Sequence, residues 1–338
     1  MLRHLFFISR KESDKKIEQK TLRISAAVIL FACVLRFLSS GLAQDLTALF
    51  LDPSLSSILL YAGTGRVYVS PPAESDVPQE TTVPSQTPVP PSFSAEDAAL
   101  VPVTNYPGGS IDVPAMLLTP LQWDLTAPEP TVLILHSHTC ECYENTEGYV
   151  PSGSYRTRNE DYNMISIGKH LAQCLEKQGV SVIHDTTVHD YPSYNDAYKL
   201  SRQTVQRYLA QYPTISLVLD IHRDAYEDSN GNQLSSTVSI DGVTASKLMI
   251  VAGTNGYDEG HPDWRENLSV AVKLHAVLEK SYPGLCRALA IRSSAFNQDL
   301  SPGSLLIEVG TAGDTRQQAL AAAEFLADGI AQLSQGSQ

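Results

Sequence analysis

The sequence predicts an α/β fold, with a mostly parallel central sheet and helices on both faces. Two observations carry that expectation. From about residue 100 onward, short apolar runs bounded by turn residues alternate with longer stretches of helical periodicity. Hydrophobic residues make up 43% of the 338-residue chain, enough to build a core under such a sheet.

The elements follow in order. Residues 131–136 (TVLILH) read as a buried strand. Residues 163–178 place Met164, Ile167, Leu171 and Leu175 on one helical face, and Gly179 is a suitable stop. Residues 180–184 are a strand, 194–212 a helix closed before Pro213, and 215–221 a strongly apolar strand. A strand at 248–252, a helix at 263–280, strands at 288–292 and 305–309, and a closing helix at 315–333 complete the pattern. In such sheets, functional groups gather where strands end.

The N-terminal third has a different character. Residues 1–23 form a basic leader, with seven Lys/Arg against three Asp/Glu. Residues 24–42 are apolar, interrupted by Arg36, and match the roughly 17–25 residues of one membrane helix. Charge bias places the leader in the cytoplasm and the rest outside, as a single-pass cell-membrane protein. The plainer alternative is a cleaved signal peptide ending near Ala43. Residues 44–69 are a membrane-proximal segment, and 70–98 a Pro/Ser/Thr-rich linker of extended character. The catalytic-type domain is expected at 100–335. Beyond residue 23 the chain holds 17 basic against 34 acidic residues, which argues against nucleic acid as a partner.

Three expected strand ends carry chemistry. The first ends in His136, Ser137, His138, Thr139, Cys140, Glu141; the second in His222, Arg223, Asp224; the third holds Glu308 within SLLIEVG. Zinc is held by imidazoles, thiolates and carboxylates, and a catalytic site keeps one position open. His136 or His138, Glu141 and His222 are therefore candidate ligands for Zn2+, with Glu308 as the base. An apolar setting raises the pKa of such a glutamate. Asp220, two positions before His222, either orients a ligand or bonds nearby backbone. Cys140 and Cys142 are a competing ligand set, but the paired CxxC knuckles of closed zinc sites are absent. Five irregularly spaced cysteines do not form a disulfide framework.

Several blocks, taken in order, resemble the stage II sporulation protein P family, peptidoglycan hydrolases of engulfment in endospore-forming bacteria. They are HSHTCECY (136–143), DTTVHDYPSYNDAYKLSRQTV (185–205), DIHRDA (220–225), VAGTN (251–255), HPDWRENL (261–268) and NQDLSPGSLLIEVGTAGDT (297–315). The resemblance implies kinship with zinc-dependent N-acetylmuramoyl-L-alanine amidases. It implies cleavage of the amide between the lactyl group of N-acetylmuramic acid and L-alanine, and a second activity on peptide cross-links. Carried over by position, His136 or His138, Glu141 and His222 match metal ligands, and Glu308 the catalytic base. Arg223 is then a candidate for a muropeptide carboxylate, or equally a structural salt bridge. Implied partners are peptidoglycan, a membrane-bound lytic transglycosylase and a polytopic membrane protein of one engulfment complex. The run HSHTCE departs from the family's usual spacing residues, and the choice between His136 and His138 stays open. Two other readings are an exported zinc peptidase acting only on cross-links and a catalytically inactive peptidoglycan-binding module.

Overall fold

The computed structural model describes residues 91–105, 110–121, 125–144, 148–151, 154–256 and 260–334. The expected leader, membrane anchor, membrane-proximal segment and residues 70–90 of the linker lie outside the described residues. Among the described residues, no helix is long and apolar enough to cross a membrane.

The body opens with a 3-10 helix at Ala95–Leu100, whose N-cap is Ser94; Asp97 Oδ2 accepts the Ser94 backbone N–H at 2.8 Å. Phe93, Ala98 and Leu100 pack against the core, so folded structure begins inside the stretch expected to be linker. Then come β1 (Val103–Asn105), α1 (Val113–Leu118), β2 (Val132–Leu135), α2 (Met164–Lys177) and β3 (Val182–His184). These are followed by α3 (Ala197–Gln211), β4 (Leu217–Asp224), β5 (Thr237–Ile240), β6 (Val243–Ser246) and β7 (Leu248–Gly253). The chain finishes with α4 (Trp264–Ser281), β8 (Leu289–Arg292), β9 (Ser304–Thr311) and α5 (Arg316–Ser334).

Local chemistry explains the boundaries near the site. Asn163 caps α2 by accepting the Ile165 N–H at 3.0 Å. The helix ends in a Schellman motif. Gly179, at φ +83°, donates to Glu176, and the Val180 N–H reaches back to the Leu175 carbonyl. The β5–β6 hairpin turns on Asp241 and Gly242, both at positive φ, as a two-residue primed turn requires.

The main sheet has seven strands in the order β1-β8-β7-β9-β4-β2-β3. All neighbours are parallel except β7 and β9, so two parallel blocks meet at one antiparallel seam. Its two faces are covered unequally. Val132, Ile134, Leu217, Leu219, Ile221, Leu305, Ile307 and Val309 point to one side, into the large core formed with α2, α4 and α5. Leu133, Leu135 and Val218 point to the other, where Val205, Tyr208 and Leu209 of α3 cover them. Met249, Val251 and Leu306 lie in a separate small cluster with Phe296. The stretch of sheet from β4 across β9 to β7 beside that cluster is where the site lies.

Candidate active site

β4 runs further than its sequence predicts. His222, Arg223 and Asp224 lie within the strand, with an irregularity in the ladder between His222 and Asp224. In the register of β4 with β9, His222 stands opposite Glu308, and Asp220 opposite Leu306. Paired residues of parallel strands share a face, so Asp220, His222 and Glu308 all rise from the side of the sheet on which α3 packs.

The chain leaves β2 at Leu135 and turns through Ser137–Cys140. This turn separates the two histidines that follow the strand. His136 keeps the direction of Ile134 and enters the large core side. Its Nδ1 lies 2.9 Å from the Ile221 carbonyl oxygen, and its Nε2 lies 2.9 Å from His184 Nε2. Gly168 of α2 makes this room: a Cβ there would sit 2.5 Å from both Nε2 atoms. His138, past the turn, comes back over the opposite face. Its ring lies 5.2 Å from that of His222, centroid to centroid, and stacks on Tyr194 at 4.5 Å.

His138, Glu141 and His222 form one group, with one donor atom from each lying within 4.8 Å of the others. His138 Nδ1 is 3.3 Å from Glu141 Oε1, and His222 Nδ1 is 3.5 Å from Glu141 Oε2. A tetrahedron with zinc–ligand bonds of about 2.0–2.1 Å has an edge of roughly 3.3–3.4 Å. Two imidazoles and a carboxylate are a donor set for zinc, and each imidazole stands about one such edge from a different oxygen of the same carboxylate. His136 is not brought to this group.

Glu141 is buried and held by β4. Its Oε2 accepts the Arg223 N–H at 3.2 Å, and the Arg223 guanidinium lies 3.7 Å from Oε1. Burial works against its charge, but Arg223, His138 and His222 together hold its pKa well below the ordinary carboxylate range. Arg223 donates its remaining bonds to the Cys142 and Tyr155 carbonyls at 3.1 and 3.0 Å and is itself buried. These contacts brace Glu141 and the loop at Tyr155, as the structural salt-bridge alternative expects, and Arg223 also borders the cleft over the group.

Asp220 bonds nearby backbone and also lies beside His222. It accepts the Ser137 N–H at 2.7 Å and the Ser137 hydroxyl at 2.5 Å, and its Oδ1 lies 2.8 Å from His222 Nε2. Burial opposes a charged His222, yet Asp220 and Glu141 raise its pKa well above normal. A carboxylate behind one ring nitrogen leaves the other, Nδ1, toward Glu141.

Glu308 sits between β4 and β7, opposite His222 on one side and Met249 on the other. Its Oε2 is inaccessible and has no hydrogen-bond partner among the described residues. Burial pushes its pKa up to about 8, against the pull of His222. Cys140 is buried beside the site but outside the donor group. Its N–H is bonded by Asp190, and burial lifts its thiol to about 12. Cys142 is likewise buried, its thiol raised to about 11.

Sequence reading missed the loop that braces this turn. Asp190 bonds the Cys140 N–H and pairs with Arg156. His189 bridges the His136 carbonyl at 2.9 Å and the Thr204 hydroxyl at 3.0 Å. The block DTTVHD (185–190) thus positions the metal-side turn, although no residue type in it marks that role. A cleft of about 450 Å³ opens over the group, lined by His138, Glu141, Tyr194, Tyr198, Phe296 and Glu308, with Arg156 and Arg292 also on its walls. Arg292, at the end of β8, has no ion-pair partner among the described residues.

A family model described as Stage II sporulation protein P matches residues 69–331. Stage II sporulation protein P of Bacillus subtilis (strain 168) is 26% identical over 286 residues, covering 80% of this chain. The chain spans 64% of the length of that relative. Among solved structures, the N-acetylmuramoyl-L-alanine amidase from Clostridium difficile 630 is 17% identical at a TM-score of 0.33, covering 61% of this chain and 95% of its own. The amidase Ami1 from Mycobacterium smegmatis is 12% identical at a TM-score of 0.35, covering 64% of this chain and 100% of its own. With the family model spanning most of the described body, this chain belongs to the stage II sporulation protein P family.

Proposed function

We propose that this chain is a zinc-dependent peptidoglycan hydrolase that cleaves the amide between N-acetylmuramic acid and L-alanine, acting outside the membrane during engulfment. The observation that carries the reading is the donor group of His138, Glu141 and His222, drawn together within 4.8 Å, with Glu308 rising beside it from the neighbouring strand. Zinc, when bound, supplies Lewis acidity toward a water molecule and the scissile carbonyl.

The chain's own residues account for the rest. Asp220 and Arg223 fix His222 and Glu141 from behind, so the donors are held before anything binds. Glu308, poorly solvated, takes a proton from the attacking water and returns it to the departing amine of L-alanine. Tyr194, Tyr198 and Phe296 give the cleft apolar walls against which a sugar ring packs. Arg292 is suited to a carboxylate of the stem peptide. Under this reading the membrane anchor at 24–42, the linker at 70–98, the lytic transglycosylase and the polytopic partner are parts of the same proposal, supported by family membership.

The test is digestion of purified peptidoglycan by the full chain, with and without a chelator, followed by product analysis. Stem peptides released with a free L-alanine amine are expected, and chelation abolishes release. Products split only at cross-links identify a peptidase instead. Chelator-insensitive digestion refutes the metal mechanism.

A further inference from the structure

A second cluster of donors lies away from the cleft. Cys286 bridges Leu248, whose side chain joins the large core that α4 covers, whereas the next residue, Met249, faces the cleft on the other side of the sheet.

His275 and Glu279 are one helical turn apart on α4 and so share a face. Cys286 reaches that face through the turn Tyr282–Leu285, where Gly284 takes φ +85° and the Leu285 N–H bonds the Tyr282 carbonyl. One donor atom from each of His275, Glu279 and Cys286 lies within 4.8 Å of the others.

Two features make this more than a chance cluster. His275 is fully buried, and beyond the Leu100 backbone beside it neither ring nitrogen has a hydrogen-bond partner among the described residues. Buried polar atoms are normally hydrogen-bonded, and ligation gives a partner to the ring nitrogen that the Leu100 backbone does not serve. Glu279 is also set in place beforehand. Its two oxygens accept the Gly284 and Cys286 N–H groups at 2.9 and 2.6 Å, which orients the carboxylate and keeps a lone pair on each oxygen. The backbone on either side of Cys286 is pinned to β7, through Leu248 N–H to the Leu285 carbonyl and Arg287 N–H to the Leu248 carbonyl.

We propose that His275, Glu279 and Cys286 bind a second zinc ion, a structural one that ties the C-terminal half of α4 to the chain entering β8. An imidazole, a carboxylate and a thiolate are a donor set suited to zinc. Glu279 and Cys286 are only partly buried, so an ion has a route in and a solvent molecule completes the tetrahedron. Binding displaces the thiol proton to solvent, with no redox change.

The full chain, stripped and reloaded with cobalt(II), tests this. A thiolate-to-cobalt charge-transfer band is expected, because the triangle at His138 contains no sulfur. The band should persist in His138→Ala, Cys140→Ser and Cys142→Ser, and vanish in Cys286→Ser. Zinc content should fall from two ions per chain to one in Cys286→Ser, and likewise in His138→Ala. Absence of the band in the unmodified chain, a measurement that needs no variant to fold, overturns the proposal. So does a band that survives Cys286→Ser. Loss of zinc in His138→Ala alone bears on the cleft and leaves the cobalt–thiolate readout intact.

Discussion

Glu308→Gln separates the chemical role of Glu308 from its cost to the fold. Burial lifts the carboxyl from its ordinary 4.5 to about 8. A raised folded-state pKa means that this group's contribution is most favourable below about pH 4.5 and is lost as pH climbs toward 8. At 1.36 kcal/mol per unit, the glutamate costs the metal-free fold on the order of 3 kcal/mol at pH 7. Glutamine has the same shape and does not titrate. Its amide adds a donor where the Glu308 Oε2 position has no hydrogen-bond partner, at about 1–3 kcal/mol. The variant should therefore be near neutral or slightly less stable at pH 5. Its advantage over the unmodified chain should grow by roughly 1.4 kcal/mol per pH unit up to about pH 8. Urea unfolding of the chelated full chain at pH 5, 6, 7 and 8 measures this difference. Digestion of peptidoglycan by the zinc-loaded variant should fall about 10²- to 10⁴-fold. Parallel stability profiles for the two proteins refute the assignment of a buried, proton-holding Glu308, and undiminished digestion refutes its role as the base.

Three further outcomes follow from the geometry. Gly168→Ala gains about 1 kcal/mol of helix propensity but drives a methyl group into two pinned imidazoles; overpacking at about 1–3 kcal/mol should win, lowering the melting temperature by a few degrees, and a rise in melting temperature shows that the His136–His184 contact yields freely. Asp220→Asn should weaken zinc binding about 10- to 100-fold by loosening His222 and the Ser137 turn, read by competition with a chromophoric chelator; unchanged affinity removes Asp220 from the site. Arg292→Ala should raise KM for stem-peptide substrates about tenfold or more with kcat little changed, and an unaltered KM places the peptide carboxylate elsewhere.

Much of the fold was legible because its signals are local. The apolar run at 131–136, the four-residue spacing of Ile167, Leu171 and Leu175, and Gly179 as a helix stop need no knowledge of neighbours. The β5–β6 hairpin has an equally local signal in Asp241-Gly242, a dipeptide suited to a primed turn, which the strand pattern over 215–252 does not include. The single antiparallel seam between β7 and β9 was not legible, since both strands read as buried runs and direction is set by the connections between them.

The candidate site divides in the same way. Residue types alone pointed to histidines, glutamates and zinc, because few other side chains bind that ion. Glu308 stood out because a carboxylate amid leucine, isoleucine and valine is expensive unless it is used. The choice between His136 and His138 belonged to the tertiary structure. Both follow the same strand two residues apart, and alternation alone puts them on one face. The turn at Ser137–Cys140 ends that alternation, Gly168 opens a space that takes His136, and the register of β4 with β9 puts His222 and Glu308 on the opposite side. The contacts of Arg223 belong to the tertiary structure likewise, since the folded loop at Tyr155 supplies a carbonyl that engages its guanidinium. Composition and short-range pattern specified which donor and acid side chains this chain carries. Which atoms meet depended on strand register and on one missing side chain, quantities set by contacts between residues far apart in the sequence.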